Sequence, residues 1–410
     1  MWNEAEEICL RAIDSCLPEE GVKEALKQIS PEADLILVAV GKAAFSMTKA
    51  AIGEVKIKKG ILITKYGHVS HPLEGIECLE AGHPLSDENT LSATQKAIDL
   101  VKDLKKEDTV LFLLSGGASA LFEKPLIPLN ELIALNDQML KKGLSITQIN
   151  TIRKKLSAVK GGRFADLCAP ARVYGIILSD VLSDQIDVIG SGPTVKDTSS
   201  AEDALAIIEN YDLELSENAL EVIRNSQSGK ADNAVNRITG SVSILCKNAA
   251  KEAENRGYEP ILLNDHLDLE CEEVAEYLKE AIRKYADGRK RALIAGGEPT
   301  VLVRGNGKGG RCQQLAYLLA RRISSLKDIR IVCIGSDGTD GPTDAAGAYV
   351  DGTTYEKIME AGIDYDAVLQ NNDTYHALDR IGSLIRTGAT GTNVNDLFLI
   401  LTGEENEKDV

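Results

Sequence analysis

The feature that most constrains this chain is an alternation, sustained almost from end to end, between apolar runs of strand length and stretches with helical spacing. DLILVAV (34–40) precedes a helical pattern from about Ala43, GILIT (60–64) precedes another across 89–104, and DTVLFLL (108–114) follows. VYGIILSD (173–180) leads into two acidic helical stretches, 201–211 and 216–225, and then a polar segment, SQSGKADNAVNRITG (226–240). The alternation restarts beyond it. SVSILC (241–246) reads as a strand, then a helix over 247–257, EPILL, a helix over 269–286, RALIAGG, TVLVRG (300–305) as a strand, a helix over 312–325, and IRIVCIG. Such a pattern predicts an α/β fold with mainly parallel sheets flanked by helices and ligands at the carboxyl ends of strands.

With 410 residues the chain exceeds what one core usually organises. The polar segment places a domain boundary near residue 236, giving domains 1–236 and 237–410 with a site between them; the last strand, 397–401, is left free to return to the first domain. Nucleic-acid binding is disfavoured by 46 Lys and Arg against 63 Asp and Glu, a net charge of −17. Apolar runs of five or six residues are far short of the roughly 20 needed to span a membrane, so no membrane association is expected. An acidic amphipathic amino terminus is unlike a secretory signal, and a cytoplasmic location is expected. Eight dispersed cysteines without a CxxC pair read as small buried hydrophobes.

In so acidic a chain an anionic ligand must meet locally concentrated cations, and three glycine-rich turns carry them. VAVGKAAFSM puts Gly41 and Lys42 directly after a buried strand. In INTIRKKLSAVKGGRFA, helical spacing aligns Ile149, Ile152, Leu156 and Val159 with Arg153 and Lys160 on the same side, while Lys154 and Lys155 point away. Arg153 and Lys160, beside that stripe, either pair with a buried carboxylate or line an anion site. TVLVRGNGKGGRCQQL carries Lys308 and Arg311 around Gly305, Gly307, Gly309 and Gly310. The GxGxxG within it would serve a dinucleotide, yet Asp337 lies 27 positions past Gly310, beyond the usual spacing of about 20. A P-loop is absent. Acid-rich turns supply Asp180 and Asp184, then Asp337 and Asp340, as magnesium candidates through water or phosphate; Asx turns and helix caps are their structural alternative. LLSGGASAL offers Ser115, Gly116 and Gly117 as a loop of backbone donors, and His83 in GHPLSDE shapes a turn or touches substrate.

Taken together, these segments resemble the class II glycerate kinases, built from a DUF4147-type amino-terminal domain and a MOFRL carboxyl-terminal domain. The resemblance rests on VGKAA (40–44), GHPLSDE (82–88), LLSGGASAL (113–121), NTIRKKLSAVKGGR (150–163), SDVLSD with GSGPT, GGEPTVLVRGNGKGGR, GSDGTDGPTDAAGA and TGATGTNVNDL (387–397). It implies two Rossmann-like domains with the active site in the interdomain cleft, and ATP-dependent, Mg²⁺-assisted phosphorylation of D-glycerate at its 2-hydroxyl. The family's functional Lys and Arg fall on Lys42 and Arg311. Gly41, Ser115, Gly116, Gly117, Arg153, Lys160, Asp180, Gly307, Lys308, Gly309 and Gly310 are then expected to hold substrate or phosphate. Cys312, Ala118 and the pair Leu182 and Ser183 depart from the family's pattern in loop shape only. An NAD(P)-dependent hydroxypyruvate reductase and a non-catalytic nucleotide sensor are the rival readings. The sequence leaves oligomeric state open, a homodimer being one arrangement.

Overall fold

In the computed structural model, which describes residues 3–29, 35–182 and 185–403, the chain forms two compact units. The central unit is Pro18–Thr239, and the terminal unit joins Met1–Leu17 to Gly240–Val410. The first 17 residues therefore group with the second half of the chain, unlike the division expected from the sequence. The reason is the apolar face of helix Glu4–Asp14, which buries Ala5, Ile8, Cys9, Ala12 and Ile13 against helix Val242–Asn255 and the terminal sheet. Asn3 caps that helix by accepting from the Glu6 N–H, and the Tyr258 hydroxyl donates to Glu4 at 2.6 Å.

Strands β1 (Leu35–Val40), β2 (Ile57–Lys65), β3 (Ile76–Ala81), β4 (Thr109–Leu114), β5 (Arg172–Leu178) and β6 (Ala234–Gly240) form the central sheet in the order β3-β2-β1-β4-β5-β6. The ladders β1–β2, β1–β4, β2–β3 and β4–β5 are parallel. On one face Val38, Val40, Ile61, Ile63, Val110, Phe112 and Leu114 pack with Phe164 and with Ala93, Ala97 and Val101 of helix Glu88–Val101. Leu37, Ala39, Leu62, Leu111 and Leu113 are equally buried, which is why these strands read as unbroken apolar runs. The order reverses between β1 and β4, so their carboxyl ends border the switch point where ligands bind in such sheets.

The terminal sheet contains β7 (Glu259–Leu262), β8 (Arg291–Gly297), β9 (Ile329–Gly335), β10 (Gly347–Asp351), β11 (Leu384–Ile385) and β12 (Asp396–Thr402) in the order β11-β10-β9-β12-β8-β7. Four strands share a direction, while β10 and β12 run against them. This qualifies the expectation of parallel pairing: β12 inserts between β8 and β9, so those ladders are antiparallel. β12 lies inside this sheet and does not return to the central unit.

Two expected strands are absent. SVSILC begins helix Val242–Asn255, with Ser241 capping it and Val242, Leu245, Cys246, Ala249 and Ala253 buried at helical spacing. TVLVRG is coil beyond an isolated bridge from Thr300 to Glu270, with Leu302 and Val303 exposed; three β-branched residues marked a strand that finds no neighbouring ladder. Among the described residues no helix is long and apolar enough to cross a membrane.

Candidate active site

At the central switch point β1 and β4 each end in a glycine turn, and the two turns are stitched together. The Ser115 N–H donates to Val40 O at 2.9 Å, Lys42 N–H to Gly116 O at 2.9 Å, and Ala43 N–H to Ser115 Oγ at 3.0 Å. Gly41 adopts φ +122°, and a Cβ there would lie 2.3 Å from Ser115 Oγ, so only glycine permits this approach. Ser115 and Gly41 thus shape the site; Ser115 is buried, contrary to the expectation that it faces a ligand. Gly116 and Gly117 are half-buried, and the Asp180 carboxylate stands directly over Gly116.

Lys42 is exposed, and its ammonium has no ion pair among the described residues. Its alkyl chain and the His83 ring both lie against Gly117, which has φ +86°. His68 Nδ1 is 3.3 Å from Lys42 O. Partial burial, then the nearby charges of Lys42, Lys65 and His68, hold the His83 imidazole below its ordinary range, neutral at pH 7. Sequence reading missed Lys65 and His68; they come from a different strand end, with no motif to mark them. A local basic cluster in a chain of net charge −17 is an anion site by its electrostatics.

Most cations of the second glycine segment are engaged within the fold, although Arg153 also borders a cavity of about 230 Å³ with His83 and Gly117. Helix Ile146–Lys155 stops before Lys160, so a wheel drawn through both misplaces it. Lys160 is fully buried, donating to Ser119 O and Phe122 O at 3.0 Å each and pairing with Glu123 at 3.4 Å. Arg153 donates to Ser119 O at 2.7 Å. Lys154 and Lys155, expected to point away from the Ile149 stripe, are also buried; Lys155 pairs with Asp197 at 2.7 Å. They face away from that stripe, but the segments carrying Asp187, Asp197, Ser199 and Ser228 cover that side and pair with them.

Burial lowers the Lys160 ammonium to about 8, with the Glu123 charge opposing and Arg153 assisting. The unfolded chain keeps that proton to about 10.5. Between pH 8 and 10.5 the unfolded state thus binds more protons, and stability rises with pH by at most about 1.4 kcal/mol per unit; below pH 8 the contribution is flat. The wild type's melting temperature is expected to climb relative to Lys160→Met across that window. A constant difference would place the Lys160 titration elsewhere.

In the terminal unit, β8 and β9 end opposite the start of β12, where Asp396 pairs with both Gly297 and Gly335. Helix Arg311–Arg322 begins beside them. Arg311 Nε and Nη2 meet the two oxygens of buried Asp396 at 2.5 and 3.1 Å, and Nη1 meets Glu298 at 2.6 Å. Burial raises the Asp396 carboxyl to about 7, against the pull of Arg311. Asp340 caps the helix, accepting from Cys312 N–H at 3.1 Å and Gln313 N–H at 2.8 Å; it is buried and its oxygens are committed to the cap.

The expected phosphate-wrapping loop is largely occupied by its own protein. Asn372 Oδ1 accepts from Arg304 and Gly305 N–H, Asn371 from Asn306 and Gly307, and Asp373 Oδ1 from Lys308. Gly305 and Gly307 are glycines because a Cβ would strike Asn371 and Asp373. Without a preceding strand, and with these donors spent, the GxGxxG does not form a dinucleotide turn. Lys308 Nζ sits over the Tyr375 ring at 4.5 Å. Gly309, Gly310 and Arg311 face a cavity of about 610 Å³ with Val301, Val303 and Asp337.

For magnesium, among the described residues no cluster of three or more His, Cys, Asp or Glu is arranged to hold an ion alone. Asp337 Oδ1 accepts from Thr339 in an Asx turn, and Asp184 lies outside the described residues. Asp180 and Asp337 remain, at positions suited to attachment through water and phosphate, the usual mode of magnesium.

Fold and site thus define a two-unit α/β protein with an electropositive switch-point site in one unit and an arginine–carboxylate cluster at the strand ends of the other. Residues 4–224 match the family described as "Domain of unknown function (DUF4147)" and residues 291–396 the MOFRL family. The chain is 44% identical over 403 residues to the D-glycerate 2-kinase of Thermotoga maritima, covering 96% of each. The crystal structure of a glycerate kinase from the same organism superposes with a TM-score of 0.92 at 44% identity, covering 97% of this chain and 98% of that one. An Agrobacterium vitis protein provisionally named as a hydroxypyruvate reductase is 35% identical, covering 98% and 96%. The chain belongs to the DUF4147 and MOFRL family that includes these glycerate 2-kinases.

Proposed function

We propose that this protein is a glycerate 2-kinase, transferring the γ-phosphoryl group of ATP to the 2-hydroxyl of D-glycerate to give 2-phosphoglycerate and ADP. The observation that carries the reading is Lys42: an ammonium at the central switch point, without an acidic partner among the described residues, in a family whose 44% identical member bears that activity in its name. The hydroxyl oxygen of glycerate forms the new bond to phosphorus as the bond to the ADP oxygen breaks, its proton being released to water, and negative charge is spread over the transferring group. Such reactions are accelerated mainly by positioning and charge neutralisation. Lys42 supplies a point charge to the transferring group or to the glycerate carboxylate, with Lys65 adding to the local field and the neutral His83 ring lying beside Gly117. Gly117, beside Lys42 and His83, lets phosphate or carboxylate approach the backbone closely. Asp180, over Gly116 and in the same unit as Lys42, is the residue that would hold Mg²⁺ there through water and phosphate, the ion neutralising phosphate charge when bound.

The reductase alternative requires a nicotinamide cofactor on the GxGxxG loop, whose first donors Asn371, Asn372 and Asp373 already occupy. The test is an assay of the protein with ATP, Mg²⁺ and D-glycerate, the product identified by ³¹P NMR against 2- and 3-phosphoglycerate. The 2-phosphate is expected. The 3-phosphate would overturn the regiochemistry, and reduction of hydroxypyruvate by NAD(P)H without phosphorylation would overturn the kinase.

A further inference from the structure

Lys160 is fully buried, Arg153 borders a cavity of about 230 Å³ shared with His83 and Gly117, and the two cations converge on one very short element. Helix Ala118–Leu121 is a single turn following directly from Ser115, Gly116 and Gly117. So short a helix has almost no internal ladder, and its carbonyls must find partners elsewhere. They do so on side chains from three separate segments. Ser119 O accepts from Arg153 Nη2 at 2.7 Å and Lys160 Nζ at 3.0 Å, Ala120 O from Ser86 Oγ at 2.8 Å, and Phe122 O from Lys160 at 3.0 Å. Glu123 is buried behind them, 3.4 Å from Lys160 and 3.8 Å from Arg153. Neither of its carboxylate oxygens receives a hydrogen bond. An acid in that setting serves as counter-charge: it offsets part of the cost of burying two cations whose donors are aimed at carbonyls.

The helix is also coupled to the site. Its first residue follows Gly117, and Gly116 O holds the Lys42 N–H at 2.9 Å. A shift of the turn moves Gly116 O, and with it the backbone that carries Lys42.

We propose that Lys160, with Arg153 and Glu123, is a positioning cluster of the phosphoryl-transfer site: it grips helix Ala118–Leu121 by its carbonyls and so fixes the 115–117 loop against Lys42. The link to phosphoryl transfer rests on the function proposed above; the bracing itself does not.

Lys160→Met and the isosteric Glu123→Gln would be compared with the wild type by hydrogen exchange of peptides spanning 36–48 and 111–125, and by steady-state kinetics with ATP and D-glycerate. The expected result is faster exchange confined to those peptides, with kcat lowered about 10- to 100-fold, KM for ATP within about twofold, and Glu123→Gln intermediate, the scale of misplacing a catalytic group. Unchanged local exchange in both variants would overturn the bracing. Exchange accelerated throughout 18–239 would make the cluster a stability element only and overturn the proposal as well. Local loosening with normal kcat would overturn its link to the site. Should the wild type transfer no phosphate, the exchange result still decides the bracing, and the failure belongs to the proposed function.

Discussion

Lys42→Ala is expected to leave the fold intact and to lower kcat with ATP and D-glycerate by about 10²-fold or more, the usual cost of losing a charge that meets the transition state. The fold should survive because the side chain is exposed and has no ion pair among the described residues; what it gives the structure comes from its backbone, through the bond from its N–H to Gly116 O. Truncation should therefore shift the melting temperature by no more than a surface substitution does, within about 0.5 kcal/mol. Lys42→Arg keeps the charge but replaces a compact ammonium with a planar fork, and should recover only part of kcat. Near-wild-type turnover in Lys42→Ala would remove this residue from the mechanism.

Arg311→Ala is expected to be destabilising as well as inactivating, which separates it from Lys42. Its guanidinium is the partner of Asp396, buried where β12 meets the ends of β8 and β9. Asp396 is buried but the Arg311 side chain is one-third exposed, so its removal should cost less than the roughly 3–5 kcal/mol of a fully buried pair, out of a total stability of about 5–15. The loss should depend on pH. Asp396 already sits at about 7 by burial, and without Arg311 it moves further up. A folded-state carboxyl above its unfolded value of 3.8 binds protons that the unfolded chain releases, so the variant loses stability as pH rises from 4 towards 8. The melting-temperature deficit of Arg311→Ala should be small near pH 5, larger at pH 8, and reduced when Asp396→Asn is added. An equal deficit at both pH values would show that Asp396 is not the group left unpaired. With the fold held at low temperature, kcat should still fall about 10²-fold if Arg311 meets phosphate. A normal kcat would leave Arg311 a purely structural residue.

Local signals carried much of this protein. The strands β1, β2, β4, β5, β8 and β9 lie where apolar runs predicted them, because strands buried on both faces need such runs at every position. β3, with its alternation broken by Glu77 and Glu80, and the two-residue β11 carry too few apolar positions to stand out. SVSILC failed because a β-branched start to a capped helix looks like a strand over six residues.

The glycine turns and their cations were visible from composition alone, since a −17 chain concentrates cations in turns only where something holds them. Which of those cations face a ligand was not visible. Lys42, Arg153, Lys160, Lys308 and Arg311 look alike along the sequence, yet one is unpaired and exposed, one lies over a tyrosine ring, and three grip carbonyls or carboxylates. Their acceptors, Ser119 O, Phe122 O and Asp396, lie 34 to 85 positions away, and no spacing rule links residues across such loops. The sequence by itself determined the α/β class, the glycine turns and the family, because periodicity and turn chemistry are local. Only the tertiary structure decided that the first helix belongs with the second half, that β12 inserts against its neighbours, and which cations are spent on the protein. Those outcomes depend on which distant groups share a low-dielectric interior, and there an unpaired charge costs more than any local preference can supply.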